Sequence, residues 1–559
     1  MLGSWMPHGG VLPSLVGTPA VTILVVVAVI AKHILSRNPK KKKAVPPSVS
    51  QQSPAVPRRL RSSSIGTTRL LVEGALPVHE NKYDSIINIL AHCDSGLPSK
   101  QGLAEVLMAH VVPYQRFHSI PLQEVLGGEV LWIAQKVQME KHLIFHSVVS
   151  DSRNVAQDAM RQKVDEIVNI VLQTRAENRP WWEVHVLTLV VPSEVTSAAS
   201  LQPSGTILIR IHHALGDGIS LMEMFAGAIT DAQGKSLPSL QKVLAPSTTT
   251  STTAPKDSAQ CDTGRTVRLT LSTFLRPTFL FNFIKSCVKV VLLTSYGSDT
   301  RCEVINPTSR SQIQNSSDTK FVVYFPSHSL ELVKALKSKI SASVTVNDVE
   351  FSLFSGSVRR YLVRHGQDPS KIFLRALTPF AIPEHVCPIT RYSTLLRNNF
   401  TFVVNSLQLQ QENAKDRIRG SHTTWSAIKN GVTVPACFFM HKVGSFFSVA
   451  TKQKLSWELQ DRVAFVFSNV PGPIEVPFFA GKEISRIHVI YPNVSHQIGI
   501  VSCGGMMHMA LTMTADERCE RIKEETSREL VLCWLDEICE AAEQLLGLSR
   551  CEVVKFLVM

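Results

Sequence analysis

Two adjacent histidines, His212 and His213, end an apolar run and are followed by Asp217 and Gly218. A neutral imidazole, whose ordinary pKa is near 6.5, takes a proton from a hydroxyl group at physiological pH. For that the ring must be held and its tautomer fixed. An aspartate four residues beyond His213, in a turn carrying Gly216 and Gly218, can brace such a loop. A lone His-x-x-x-Asp spacing is also what a core histidine beside a helix cap produces. The doubled histidine and the Asp-Gly pair ask for more than that.

The flanking residues say what must position this set. The segment TILIRI (206–211) is rich in β-branched residues and predicts a strand. Alternation places Ile207, Ile209, Ile211 and His213 on one face and His212 on the other. The following GDGISLMEMFAGAI predicts a helix capped by Asp217, with Leu221, Met222, Phe225 and Ile229 as its apolar stripe. Elsewhere FVVYF (321–325) and VAFVF (463–467) read as buried strands. SLELVKALKSKI (329–340) and SRELVLCWLDEICEAAEQLL (527–546) read as amphipathic helices. The apolar stretch 272–293, with spaced cations, reads as a core helix or as one that faces a membrane or crosses between lobes. The fold class is α/β (α+β), mixed sheets and helices in two lobes.

At 559 residues the chain is long enough for several domains, and 44% apolar residues suit a globular core. A net charge of +13 favours anionic partners. Part of it is local, in Lys40–Lys43 and in Arg58, Arg59 and Arg61. No basic patch interleaved with aromatics is present, so nucleic acid is not expected as a partner. Eleven cysteines without a CxxC pair give no zinc spacing, and no metal is expected. They read as reduced thiols of a cytosolic protein.

Residues 1–31 hold no Asp, Glu, Lys or Arg, and 11–31 is long enough to span a bilayer. The lysines that follow place the remainder in the cytosol. The expected organisation is a membrane anchor with a basic run (1–43), a disordered linker (44–66), an N-terminal lobe (67–240), an inter-lobe linker (241–266) and a C-terminal lobe (267–559). The expected location is a single N-terminal pass in the endoplasmic reticulum or at a lipid droplet.

The motif His212-His213-Ala-Leu-Gly-Asp217-Gly218 resembles the HHxxxDG signature of the bifunctional wax ester synthase/diacylglycerol acyltransferase family, within the CoA-dependent acyltransferases. Further elements follow in family order. RPWWEVHV (179–186), with Pro180 and Trp182, resembles a Pro-Leu-Trp-Glu element in which Trp181 replaces the leucine. TVNDV (345–349) resembles the Asn-Asp element, at Asn347 and Asp348. SNVPGP (468–473), with Ser468 and Asn469, resembles a turn of the C-terminal half. Residues 491–516 resemble the closing hairpin, with Cys503 where an aromatic is usual and Gly504-Gly505 as a tight turn.

The resemblance covers about residues 130–545. It implies two chloramphenicol-acetyltransferase-like lobes with a channel between them and His213 at its centre. It further implies acyl transfer from acyl-CoA to diacylglycerol or a long-chain alcohol, with acyl-CoA as substrate and no resident cofactor. Asp217 is implied to be structural, paired with an arginine for which Arg375 is the candidate. Asn347 or the Ser468–Asn469 region is the candidate oxyanion donor. Two alternatives stand beside this reading: esterification of another alcohol such as a sterol, and a non-catalytic lipid-binding protein at a membrane or lipid droplet.

Overall fold

The computed structural model describes residues 71, 85–121, 130, 132–150, 153–190, 204–240, 277–295, 298–300, 319–381, 396–444, 455–456, 458–460, 462–492, 495–515 and 520–558. The anchor (11–31) and both linkers expected from the sequence lie outside them. The expected membrane pass is corrected: among the described residues no helix is long and apolar enough to cross a membrane.

The described strands form two main sheets. From the N-terminal half come β1 (Ile86–Cys93), β2 (Leu143–Val149), β3 (Trp182–Val190) and β4 (Gly205–His212). From the C-terminal half come β5 (Thr319–Tyr324), β6 (Ser327–Ser329), β7 (Arg375–Ala381), β8 (Phe400–Ser406), β9 (Phe465–Val470), β10 (Arg486–Ile490), β11 (His496–Cys503), β12 (Met506–Ala515) and β13 (Leu557–Val558). The first sheet runs β10-β1-β4-β3-β2, so it takes its edge strand from the C-terminal half. The second runs β8-β7-β9-β11-β12-β6-β13, and β5 pairs with β12.

The strand that ends at His212 lies at the centre of the first sheet. All its residues but Gly205 are buried. That is why the segment reads as a near-continuous apolar run rather than an alternating one. Its one charge, Arg210, is fully buried and donates to Glu183 Oε1 at 2.7 Å and to Asn88 Oδ1 at 3.1 Å. Burial pushes the Glu183 carboxyl upward, but the bonds from His185 and Arg210 outweigh it and hold the group ionised.

The two sheets meet where β10 crosses over β11. A Cβ on Gly499 would lie 2.4 Å from the Val489 carbonyl oxygen, so only glycine lets the strands approach so closely. Leu90, Leu208 and Ile490 of the first sheet pack there with Val322 and Ala510 of the second. The helices α1 (Lys100–His110) and α2 (Arg153–Val168) belong to the first half, and α3 (Gly218–Phe225) follows the motif. That last helix is shorter than its apolar stripe predicts. It stops at Phe225, because residues 226–228 turn into a two-residue strand at Ile229–Thr230.

The stretch 272–293 forms α4 (Pro277–Ser295), which buries Phe283 and Cys287 and leaves Leu280 and Phe281 exposed. The helices α5 (Leu330–Ser338), α6 (Val346–Arg364), α7 (Ala414–Asn430), α8 (Thr433–Gly444) and α9 (Glu520–Leu546) complete the described fold. Phe283 and Cys287 pack on Ala436 of α8. The main core lies between α6, α7 and α9 and the second sheet, around Phe351, Phe354, Trp425 and Trp534. Seven described cysteines, Cys93 among them, carry no disulfide, and most are buried.

A row of buried histidines lines the contact between the sheets. His92 Nε2 lies 3.3 Å from His488 Nδ1, and the His488 ring meets the edges of Tyr324 and His508. Burial first, then neighbouring cations, lowers the pKa of His92 to about 3 and of His508 to about 4; that of His488 also falls well below 6.5. The native state therefore binds fewer protons than the unfolded chain once the pH drops below 6.5. Stability is complete above that value and is lost as the pH falls toward 4. Thermal melting at pH 7.5 and 5.0 is expected to show a Tm several degrees lower in acid, with a flatter dependence in His488→Leu. Equal melting temperatures would contradict this account of the interface.

Candidate active site

The backbone of the motif is pinned where β4 ends. The His212 N–H donates to Trp181 O at 3.0 Å, and the His213 N–H donates to Ser85 O at 2.6 Å. The strand stops at His212, so His213 sits in the turn beyond it rather than continuing the alternation. His212 is fully buried. Its Nδ1 accepts from the Ala214 N–H at 3.1 Å, and its ring meets Trp181 edge-on with centroids 4.7 Å apart. It is therefore a wall of the core. Trp182 donates from Nε1 to Phe117 O at 2.8 Å and stacks on His142; the buried Pro180 accepts from the Trp182 N–H. The Pro180–Trp182 element thus supports His212 and does not reach the His213 ring.

His213 is half-buried. Its Nδ1 lies 3.0 Å from Asn398 Oδ1, and the ring is flanked by Phe400 and Tyr491 with centroids 5.5 and 5.7 Å away. With the Asn398 amide oxygen as acceptor, the tautomer carries its proton on Nδ1, which leaves Nε2 with a lone pair. Nε2 has no hydrogen-bond partner among the described residues. Burial lowers the pKa of the ring below 6.5, against the opposing pull of its own carbonyl, Asp217 and Asn398. The site thus joins the end of β4 to two segments of the C-terminal half, one before β8 and one after β10.

Asp217 caps α3, as its position predicts: Oδ1 accepts from the Ser220 N–H at 2.9 Å. Its Oδ2 accepts from the Asn399 N–H at 2.7 Å, and its own N–H donates to Arg397 O at 2.8 Å. The expected pairing of Asp217 with Arg375 is corrected. Arg375 is held by Asp299 at 2.5 Å, beneath the second sheet. The cation whose charge acts on Asp217 is Arg116, fully buried, which donates to Ala214 O at 3.0 Å and Leu215 O at 3.2 Å. Burial lowers the Arg116 pKa to about 10, and Asp217 pulls it back up.

Neither motif glycine lies in the left-handed region. Gly216 is required by space, since a Cβ there would come within 2.9 Å of Ser220 Oγ, whose hydrogen bond to Arg397 O at 2.9 Å fixes it. A Cβ on Gly218 would meet Val470 at an ordinary 3.5 Å. That contact brings the end of β9, with Ser468 and Asn469, alongside the motif.

Asn347 and Asp348 go elsewhere. The helix cap is Thr345, not Asn347, and Asp348 closes a capping box with it. Asp348 Oδ2 also lies 2.9 Å from His422 Nδ1. The hairpin turn at Gly504 and Gly505 does have positive φ at both residues, 58° and 76°, the pattern of a tight two-residue turn.

Asn398, Arg116, Phe400 and Tyr491 complete the site and were not found by reading the sequence. An Asn-Asn pair directly before a strand was the available signal for Asn398; nothing local marked Arg116.

Residues 396–530, beginning at the strip clamped along the motif, match the sequence profile described as WS/DGAT C-terminal domain. Wax ester synthase/diacylglycerol acyltransferase 4 of Arabidopsis thaliana is 21% identical over 428 residues, 72% of this chain and 77% of that protein. Over most of its length the chain is thus similar to proteins of the wax ester synthase/diacylglycerol acyltransferase family. These likenesses indicate an acyl-CoA-dependent acyltransferase. A probable diacylglycerol O-acyltransferase of Mycobacterium tuberculosis is 23% identical over 59% of this chain and 65% of that one. Among solved structures, a trichothecene 15-O-acetyltransferase of Fusarium sporotrichioides is similar with a TM-score of 0.50, at 13% identity over 88% of this chain and 100% of that one. The mixed α/β fold described above is accordingly similar to that of this acetyltransferase.

Proposed function

We propose that this chain moves a fatty acyl group from acyl-CoA to a lipid alcohol, a diacylglycerol or a long-chain alcohol, with His213 as general base. The observation that carries the reading is the half-buried His213 ring, its Nδ1 bonded to Asn398 and its Nε2 without a hydrogen-bond partner among the described residues, between aromatic side chains from the other half of the chain. Phe400 and Tyr491 suit an acceptor with an apolar body and one reactive hydroxyl.

In the proposed step Nε2 takes the hydroxyl proton as the alcohol oxygen attacks the thioester carbon. The tetrahedral intermediate collapses by breaking the carbon–sulfur bond. The imidazolium then returns its proton to the departing CoA sulfur, so ester and free CoA leave a neutral histidine. No acyl-enzyme is required, because the nucleophile arrives with the substrate. For the oxyanion, the Ser468–Asn469 region is favoured over Asn347 by the contact of Val470 with the motif at Gly218. Asp217 and His212 act as supports. The proposed organisation is two lobes, 67–240 and 267–559, with acyl chain and acceptor meeting in a channel between them.

The test is ester formation by the purified full chain from radiolabelled acyl-CoA, with diacylglycerol and hexadecanol supplied separately. Labelled triacylglycerol, wax ester or both is expected. Hydrolysis alone, with neither ester formed, would overturn the proposal.

A further inference from the structure

We infer that Asn398 is a positioning residue for the base, delivered to the His213 ring by Asp217. The inference rests on the general-base reading of His213 and deepens it. Three geometric facts carry it.

The first is orientation. Asn398 Nδ2 lies 3.4 Å from Ala214 O, which can only accept, so the amide is turned with Oδ1 toward His213 Nδ1 at 3.0 Å. Oδ1 cannot donate, so the ring nitrogen facing it must carry the proton.

The second is the clamp. Residues 397–399 run alongside the motif loop and are tied to it at each residue. Arg397 O accepts from the Asp217 N–H, Asn398 bonds to His213 and Ala214, and the Asn399 N–H donates to Asp217 Oδ2. The motif carboxylate never needs to touch the base. Asp217 fixes the peptide on either side of Asn398, one through its backbone N–H to Arg397 O and the other through its carboxylate to the Asn399 N–H, and Asn398 fixes the ring.

The third is support. Arg116 donates to Ala214 O, the same carbonyl that orients the Asn398 amide, and to Leu215 O. The acceptor is thus itself held, in a site where Asn398 is 1% exposed.

The charged and titratable groups around the ring are His212, Asp217 and Arg116 on the motif side, Tyr491 across from it, and the Arg397–Glu223 pair beside the clamp. The acceptor on Nδ1 is Asn398, so a change at residue 398 reaches the ring directly through that bond, and the motif loop through Ala214 O. An acceptor on Nδ1 stabilises imidazolium more than imidazole, and a carboxylate there stabilises it further.

The test uses the full chain with Asn398→Leu and Asn398→Asp, and follows kcat/KM against pH together with KM for acyl-CoA. The leucine variant is expected to lose about ten- to a hundredfold in kcat, part of the 10²–10⁴ that a positioned base supplies, and to move its acid limb to lower pH. The aspartate variant keeps an acceptor, so its plateau rate is expected within a few-fold of wild type and its acid limb at higher pH. KM is expected to stay within about twofold in both. Shifts of opposite sign are a signature that a merely structural role would not give.

Should the leucine variant show no melting transition, the aspartate variant decides alone. An upward shift supports the inference, and an unmoved limb overturns it. His213→Ala separates the two levels. If it is inactive while both Asn398 variants keep the wild-type limb, only the role of Asn398 falls; if it is fully active, the general-base reading falls first.

Discussion

Replacing His213 by alanine is expected to lower kcat by 10²–10⁴-fold, the usual contribution of a positioned general base, with KM for acyl-CoA little changed. The fold should survive. The ring is half-buried in a turn, and the backbone bond from its N–H to Ser85 O is kept by any residue. The cost to stability should stay within the range of an ordinary surface-proximal truncation, ~1 kcal/mol. Steady-state rates and a thermal melt of the same preparation check both halves. His212→Ala is expected to behave in the opposite way. It opens a cavity against Trp181 and unbinds the Ala214 N–H, so stability falls while the surviving folded enzyme keeps its base.

Replacing Arg210 by methionine is expected to cost about 3–5 kcal/mol, the penalty for leaving a buried charge without its partner. Glu183 is 1% exposed and would keep His185 and two peptide N–H groups but lose its guanidinium. Asn88 and Ile170 O would lose a donor as well. The residue lies on the strand that ends at His212, next to His213, and contacts β1 and β3, so the damage reaches the site through the sheet. Adding Glu183→Gln should recover part of the loss, because the uncompensated charge is gone. Thermal unfolding of the two variants measures this. A single variant within ~1 kcal/mol of wild type, or a double variant worse than the single, would contradict the assigned ion pair.

Much of this was legible because local pattern and global fold agreed. TILIRI gave its strand, Asp217 its cap, and FVVYF and SLELVKALKSKI their elements, since each carries its own period and stop signal. What escaped were contacts set by topology. Asn398 lies 185 residues from His213 and meets it only because the strip before β8 lies against the motif loop. Arg116 reaches the same loop across 98 residues. A single sequence carries no trace of such pairings. Arg375 was chosen for Asp217 as a charge in the right half of the chain, but a nearer carboxylate, Asp299, takes it. Asn347 and Asp348 were read as one element, but they lie at the start of a helix whose cap is Thr345, with Asp348 closing the capping box. The long apolar stretch 272–293 offered both a core and a membrane reading; the helix it forms packs Phe283 and Cys287 on Ala436 and leaves Leu280 and Phe281 exposed.

The central claim is that the His213 ring takes the acceptor's proton through Nε2, and the pH dependence of kcat/KM tests it most directly. The wild-type chain is expected to show an acid limb of unit slope with its midpoint below 6.5, the direction in which burial moves the ring. The residual activity of His213→Ala should lack that limb. A limb that persists unchanged in the alanine variant would assign the proton transfer to another group and contradict the account.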